Sequence, residues 1–324
     1  MTFIPKCHGV FSVDTDFFKK LGGVYTIEGY TLTPCLGTVE NQHKVCSNFA
    51  LEFDFRGLDE HESSNYSEKA RRGSVNMDRG ARMAKDFIAW MVVATTRWMR
   101  LSSEGYGYMA MSGPMICEPT QDFDEKSLDS VFHVDRDARK GEFVEVKRPS
   151  FSFSGPTHGS KTLEIPSDFP YLTKKVFSLR KEKREEFLNA CFSYQFGLEN
   201  WTQYRTISVL SFVSAVESMM TDEYSSGFCR YANRSCALKK DVMKKFRSFF
   251  EQNLEKPLPK QLGDFLNRVY SKRSVFVHRA LLGVDEVRGI DFGFVYKKTK
   301  QLREEQRYLE NLVNAALMEW LKRI

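Results

Sequence analysis

The stretch SKRSVFVHRALLG (271–283) sets Arg273 and His278 inside an otherwise apolar run. A histidine exchanges its proton near neutral pH and serves as general acid or general base. A guanidinium stays charged and offers fixed, paired donors to an oxyanion. Together the two residue types suit proton transfer at a centre that gains negative charge. The R-x4-H spacing is weak by itself. With 23 arginines and 6 histidines, about one match arises by chance when gaps of four to six are counted. A second match is present, Arg56–His61 (RGLDEH), and it runs into a polar segment where Asp59 and Glu60 would repel a phosphate. Arg273 and His278 sit differently, among Val269, Val275, Phe276, Val277, Leu281 and Leu282 in a basic, helix-patterned half.

Five residues along a helix turn by about 140°, so the two side chains diverge on a straight helix. They converge if the helix starts or bends between them, if the long arginine reaches around, or if a two-fold axis brings two copies of the segment together. Read from the residues alone, the pair is either such a site or an arginine and a histidine that packing tolerates.

Other chemistries lack their patterns. The chain has no G-x-x-x-x-G-K-[ST], no G-x-G-x-x-G, no H-E-x-x-H and no G-x-S-x-G. The seven cysteines (Cys7, Cys35, Cys46, Cys117, Cys191, Cys229 and Cys236) are odd in number and form no CxxC, which fits neither a disulfide framework nor a zinc site. Reduced thiols in a cytoplasmic protein are expected, with no metal and no cofactor. The longest apolar run, FIAWMVVA (87–94), is far short of the roughly 20 residues that span a bilayer. No membrane partner and no signal peptide are expected.

The elements that must position the pair follow from periodicity. The chain is 324 residues long, 42% hydrophobic and 28% charged, with 27 phenylalanines, enough for a core in each of two domains. HGVFSV (8–13), VYTIEGYTLT (24–33) and FALEFDF (49–55) read as strands, the first two as a small meander. Residues 58–74 read as a polar loop. A helix is expected from about Met77 to Leu101, with Met83, Phe87, Trp90, Met91, Ala94 and Trp98 on its core face. A strand is expected at 106–117. Residues 118–175 read as β and loop, with FVEV (143–146), SFSF (150–153) and an end near PSDFPYL (166–172). From about residue 176 the patterning turns helical, with five or six helices over the rest of the chain. The charge divides at the same place. Residues 1–175 carry 22 basic against 24 acidic residues, and 176–324 carry 26 against 18. The expected fold class is therefore α+β, with a β-rich domain containing a long helix over 1–175 and an all-α bundle over 176–324. A basic second half hints at a polyanion partner, though on charge alone a solvated basic surface is the plainer explanation.

Three runs in that half, FLNACFSYQFGLE, ISVLSFVSAVESMM and FLNRVYSKRSVFVHRALLG, resemble the HEPN superfamily, its ApeA-like branch most of all. A small-residue helix ending in A-x-E, here AVES (215–218), precedes a Y-x-x-R-x4-H segment, here VYSKRSVFVH (269–278). Glu217 stands 56 residues before Arg273. The similarity covers about residues 184–320. A looser likeness to the region preceding such domains in defence proteins covers KDFIAWMVVATTRWMRLSSEGYGYMAM. Ser274 departs from the Asn, Asp or His that commonly follows the motif arginine.

The resemblance implies a HEPN-like helical bundle and metal-independent RNA cleavage, in a homodimer whose motifs meet. RNA carries its own nucleophile, the 2′-OH. Carried onto this chain, the catalytic pair is Arg273 and His278, with Glu217, Ser274 and Tyr270 in support. Glu217 would orient the guanidinium if its helix packs beside it. Tyr270 would stack a base or contact phosphate, and Lys272 and Arg279 would hold the RNA backbone. The implied partners are single-stranded RNA or tRNA loops, a second copy of the chain, and a phage-derived trigger or an antitoxin. The implied setting is anti-phage defence by abortive infection, with the N-terminal domain sensing a trigger. Members that bind without cleaving make a non-catalytic RNA- or nucleotide-binding or dimerisation module the alternative.

Overall fold

The computed structural model describes residues 6–15, 24–34, 49–56, 66–97, 99–101, 145–146, 163, 165–201, 204–220, 224–229, 234–239, 242–254, 257–279 and 295–324. The expected strand at 106–117, the SFSF run at 150–153, His61 and residues 280–283 lie outside them. The chain is α+β and divides into two compact units, Met1–Pro149 with Pro156–Lys174 and Ser150–Gly155 with Lys175–Ile324. The division after Lys174 falls inside a helix, beside the expected boundary at residue 175.

The first unit is built on a five-stranded antiparallel sheet. Its strands are β1 (Lys6–Thr15), β2 (Tyr25–Ile27), β3 (Tyr30–Pro34), β4 (Phe49–Arg56) and β5 (Met99–Leu101), in the order β2-β3-β4-β1-β5. The run 24–33 is a hairpin rather than one strand. Glu28 and Gly29 both adopt positive φ, 45° and 85°, as a two-residue type I′ turn requires. The first strand does not pair with this hairpin as expected; β1 lies between β4 and β5. Local patterning specifies which face of a strand is apolar, but not which strand lies beside it.

Helix α1 (Tyr66–Thr95) begins eleven residues before the expected Met77 and ends before the expected Leu101. The extra N-terminal turns, YSEKARRGS, are polar and rich in helix formers, so they carry propensity without an apolar stripe. At the other end Thr96 takes φ of 56°, and Met99–Leu101 turns back to pair with Val13–Thr15. Trp98, expected on the core face, lies outside the described residues. Phe87 stacks on Tyr30 at 4.1 Å, and Tyr30 also meets Phe53 across the β3–β4 pair. The short parallel pair β6 (Glu145–Val146) and β7 (Ile165–Pro166) precedes helix α2 (Phe169–Ser178). PSDFPYL is thus the start of a helix, with Pro170 in the first turn where no intrahelical N–H is needed. Trp90 stacks on Phe169 at 5.8 Å and donates through Nε1 to Thr173 Oγ1 at 2.8 Å.

The second unit holds α3 (Lys181–Glu199), α4 (Arg205–Glu217), α5 (Val242–Asn253), α6 (Lys260–Arg279) and α7 (Val295–Arg323). It is not all-α: strands β8 (Tyr224–Cys229) and β9 (Arg234–Lys239) form an antiparallel hairpin between α4 and α5. RTISVLSFVSAVE is largely apolar with small residues throughout, the composition of a helix with neighbours on several sides. α3 crosses it closely because Gly197 has no Cβ; one added there would stand 2.6 Å from Phe212 Cε1. Ser208 Oγ donates to the Gly197 carbonyl at 2.7 Å, and Gln306 Nε2 of α7 donates to Ser208 Oγ at 2.8 Å and to the Trp201 carbonyl at 3.2 Å. Trp201 Nε1 in turn donates to Glu310 Oε2 at 2.8 Å. Phe187 stacks on Trp320, joining α3 to the end of α7.

Candidate functional site

Helix α4 ends on Glu217, where the carbonyl end of the helix dipole disfavours a carboxylate. The compensation comes from α6. Tyr270 and Arg273 are three residues apart and so share one face of that helix. Tyr270 donates its hydroxyl to Glu217 Oε1 at 2.8 Å, and Arg273 Nη2 donates to Glu217 Oε2 at 2.9 Å. Each carboxylate oxygen thus receives its own donor. The guanidinium carbon of Arg273 lies 5.8 Å from the Tyr270 ring centroid, within cation–π range.

The cluster is half-buried, with the Arg273 side chain 26% exposed and that of Glu217 18%. Both charges are partly withdrawn from water, and each answers the other. Burial, followed by the hydrogen bond and charge of Glu217, raises the Tyr270 phenol well above its ordinary value, while Arg273 opposes the shift. The phenol therefore stays protonated and remains a donor to Glu217 across neutral and moderately alkaline pH. The contact with Glu217 uses one of the five N–H donors of Arg273, so the guanidinium is oriented without being saturated.

His278 and Ser274 occupy backbone positions within α6, and Arg279 is its last residue. The helix runs from Lys260 through Arg279, so it does not start between Arg273 and His278, and the two positions stand about 140° apart around its axis. Tyr270 is not an open platform for a base. It is a buried residue whose ring packs 5.0 Å from that of Phe246 on α5. Lys272 Nζ is paired with Glu305 Oε2 of α7 at 2.9 Å, so it is not a free backbone contact. Arg56 is the last residue of β4. Among the described residues no group of three His, Cys, Asp or Glu could hold a metal, and no helix is long and apolar enough to cross a membrane.

Sequence reasoning missed the partner of Lys272, because Glu305 lies 33 residues away with no spacing rule to connect them. It also missed the cations of α5, Lys244 and Arg247, which no motif or spacing singles out. One signal was available. Asn267, Ser271, Ser274 and His278 follow at steps of four, three and four, a polar stripe along one face of α6. Comparison with protein-family models, with curated proteins and with solved structures finds no match.

Proposed function

We propose that the second unit is a metal-independent endoribonuclease of HEPN type, acting on single-stranded RNA or tRNA loops. The observation that carries this reading is the clamp on Arg273. A carboxylate 56 residues upstream, on another helix, takes one of its donors and fixes the direction of the rest. A guanidinium so held is preorganised for the charge that grows on a phosphorane, and no reorganisation is needed as the charge appears. In this reading His278 transfers the proton of the 2′-OH or of the departing 5′-oxygen. The bond from the 2′-oxygen to phosphorus forms as the bond to the 5′-oxygen breaks, leaving a 2′,3′-cyclic phosphate. The divergence of positions 273 and 278 along one helix supports a dimer, in which two arginines and two histidines divide the acid and base roles. The first unit would sense a trigger, and the resemblance supplies anti-phage defence in the cytoplasm as the setting.

A second reading rests on the same contact. The Glu217–Arg273–Tyr270 cluster also joins α4 to α6, which is all that a non-catalytic RNA-binding or dimerisation module requires. Labelled RNA incubated with the purified full chain in EDTA separates the two. Cleavage by the wild type is expected, with His278→Ala and Arg273→Ala each slower by about 100-fold or more. RNA left intact by all three proteins would favour the module, and equal cleavage by all three would place the activity elsewhere.

A further inference from the structure

A groove of about 660 Å³ opens to solvent between α5 and α6. Among the described residues it is lined by Met243, Lys244, Arg247, Ser248, Glu251 and Asn267. Lys244 is exposed, and Arg247 is held across the groove toward α6. Gly263 leaves the room for it; a Cβ there would stand 3.3 Å from Arg247 Nη2. The Arg247 Nε is enclosed with no hydrogen-bond partner among the described residues, while the side chain as a whole is 39% exposed. Its Nη2 lies 3.7 Å from Glu251, a charge contact too long for a good hydrogen bond. The lining therefore carries two cations against one carboxylate, with a hydroxyl and an amide as neutral donors.

That chemistry suits a chain of phosphates rather than bases. No aromatic side chain lines the groove among its described residues, and Tyr270 and Phe246 beside it are buried against each other. Stacking would supply base contacts, while cations and amides track a backbone. Asn267 also begins the polar stripe that continues through positions 271, 274 and 278. Eleven residues bring the helix back to within about 20° of the same face, and His278 stands about 16 Å further along the axis. The α6 wall of the groove thus leads along one face to the position of the histidine.

We infer that the α5–α6 groove is the backbone-binding track for single-stranded RNA, with Lys244, Arg247 and Asn267 holding phosphates upstream of His278. The inference rests on the nuclease reading above and names where its substrate lies. The strand is held through its phosphodiester groups, so binding is tolerant of sequence and sensitive to salt. Glu251 weakens the track and relieves the charge of Arg247 when no strand is bound.

The test uses the full chain and a fluorescein-labelled 2′-O-methyl oligouridine, which cannot be cleaved because its 2′-oxygen is blocked. Anisotropy is read over a range of salt. Lys244→Ala with Arg247→Ala is expected to weaken binding by about 10-fold or more and to lower the log–log salt slope by about 1.4, two single-strand phosphate contacts. Lys181→Ala with Lys183→Ala on α3 removes the same charge from exposed positions and is expected to change affinity by no more than about two-fold. Lys244→Glu tests the groove from an exposed position that cannot unfold the helix, and should weaken binding alone. Glu251→Gln should tighten it. Equal loss from the α3 and groove pairs overturns the inference, as does wild-type affinity in Lys244→Glu. If the wild type cleaves RNA while groove variants bind and cleave unchanged, this inference alone fails. If the wild type neither binds nor cleaves, the nuclease reading fails and takes this one with it.

Discussion

Two polar clusters in the second unit tie α4 to later helices, and they do so in opposite ways. The Ser208–Gln306–Trp201 network is sealed: Gln306 is 1% exposed, and its two donated bonds end on a hydroxyl and a carbonyl inside the bundle. The Glu217–Tyr270–Arg273 cluster lies at the end of the same helix and is charged, half-exposed and left with donors to spare. The donated bonds of the Gln306 network hold α4 and α7 in register from inside the core, with Gln306 Oε1 enclosed and without a hydrogen-bond partner among the described residues. A half-exposed charged network holds a guanidinium in place while leaving it accessible to an anion. The first cluster is a tie within the core, and the second holds a guanidinium at the surface, where the proposed chemistry would need it.

The comparison can be broken at its strongest point through Glu217. Glu217→Ala releases the Arg273 guanidinium from its orientation, and cleavage of RNA should fall by about 100-fold. Glu217→Gln retains an acceptor for Arg273 and should recover part of the rate. A merely structural carboxylate would lower the melting temperature without changing the rate per folded molecule. Gln306→Leu makes the opposite prediction. It leaves Ser208 and the Trp201 carbonyl short of a donor and should cost about 1–3 kcal/mol in denaturant unfolding. Its cleavage rate per folded molecule should match the wild type, and a selective loss of activity would dissolve the distinction between the clusters.

Tyr270→Phe is the smallest change and reads the cluster through pH. Removing one hydroxyl from Glu217 should cost about 1 kcal/mol at neutral pH. The phenol is raised in the folded chain, first by burial and then by Glu217. Above its ordinary value near 10 the unfolded chain loses this proton first, so the unfolded state binds fewer protons and stability falls as pH rises. That fall continues until pH passes the folded value. The wild type should therefore lose stability relative to Tyr270→Phe above about pH 10. Parallel stability curves for the two proteins in that range would show that the phenol is not held in this environment.

The helices of the second half were legible because a buried stripe repeats every three to four residues, and α3, α4, α5 and α7 follow such patterns in the chain. The first turns of α1 were not legible, since YSEKARRGS has helix formers but no apolar stripe. The VYTIEGYTLT hairpin was hidden within a single β-prone run, although Glu28-Gly29 sits where a two-residue turn belongs. The paired strands β8 and β9, YSSGFC and RSCALK, show no clean alternation of apolar and polar residues. Of the candidate site, Tyr270 and Arg273 could be placed on one face from spacing alone, and so could the stripe from Asn267 to His278.

By itself the sequence determined local geometry: helix faces, the three-residue step from Tyr270 to Arg273, and the 140° step from Arg273 to His278. These are consequences of a fixed backbone repeat and need no distant partner. Only the tertiary structure decided that Glu217 receives both Tyr270 and Arg273, that Lys272 is bound to Glu305, and that Arg247 crosses to Gly263. Those contacts join residues between 16 and 56 positions apart, as the numbering of the pairs gives. They depend on how side-chain volumes let whole helices approach, a property of the packed core that no spacing along the chain encodes.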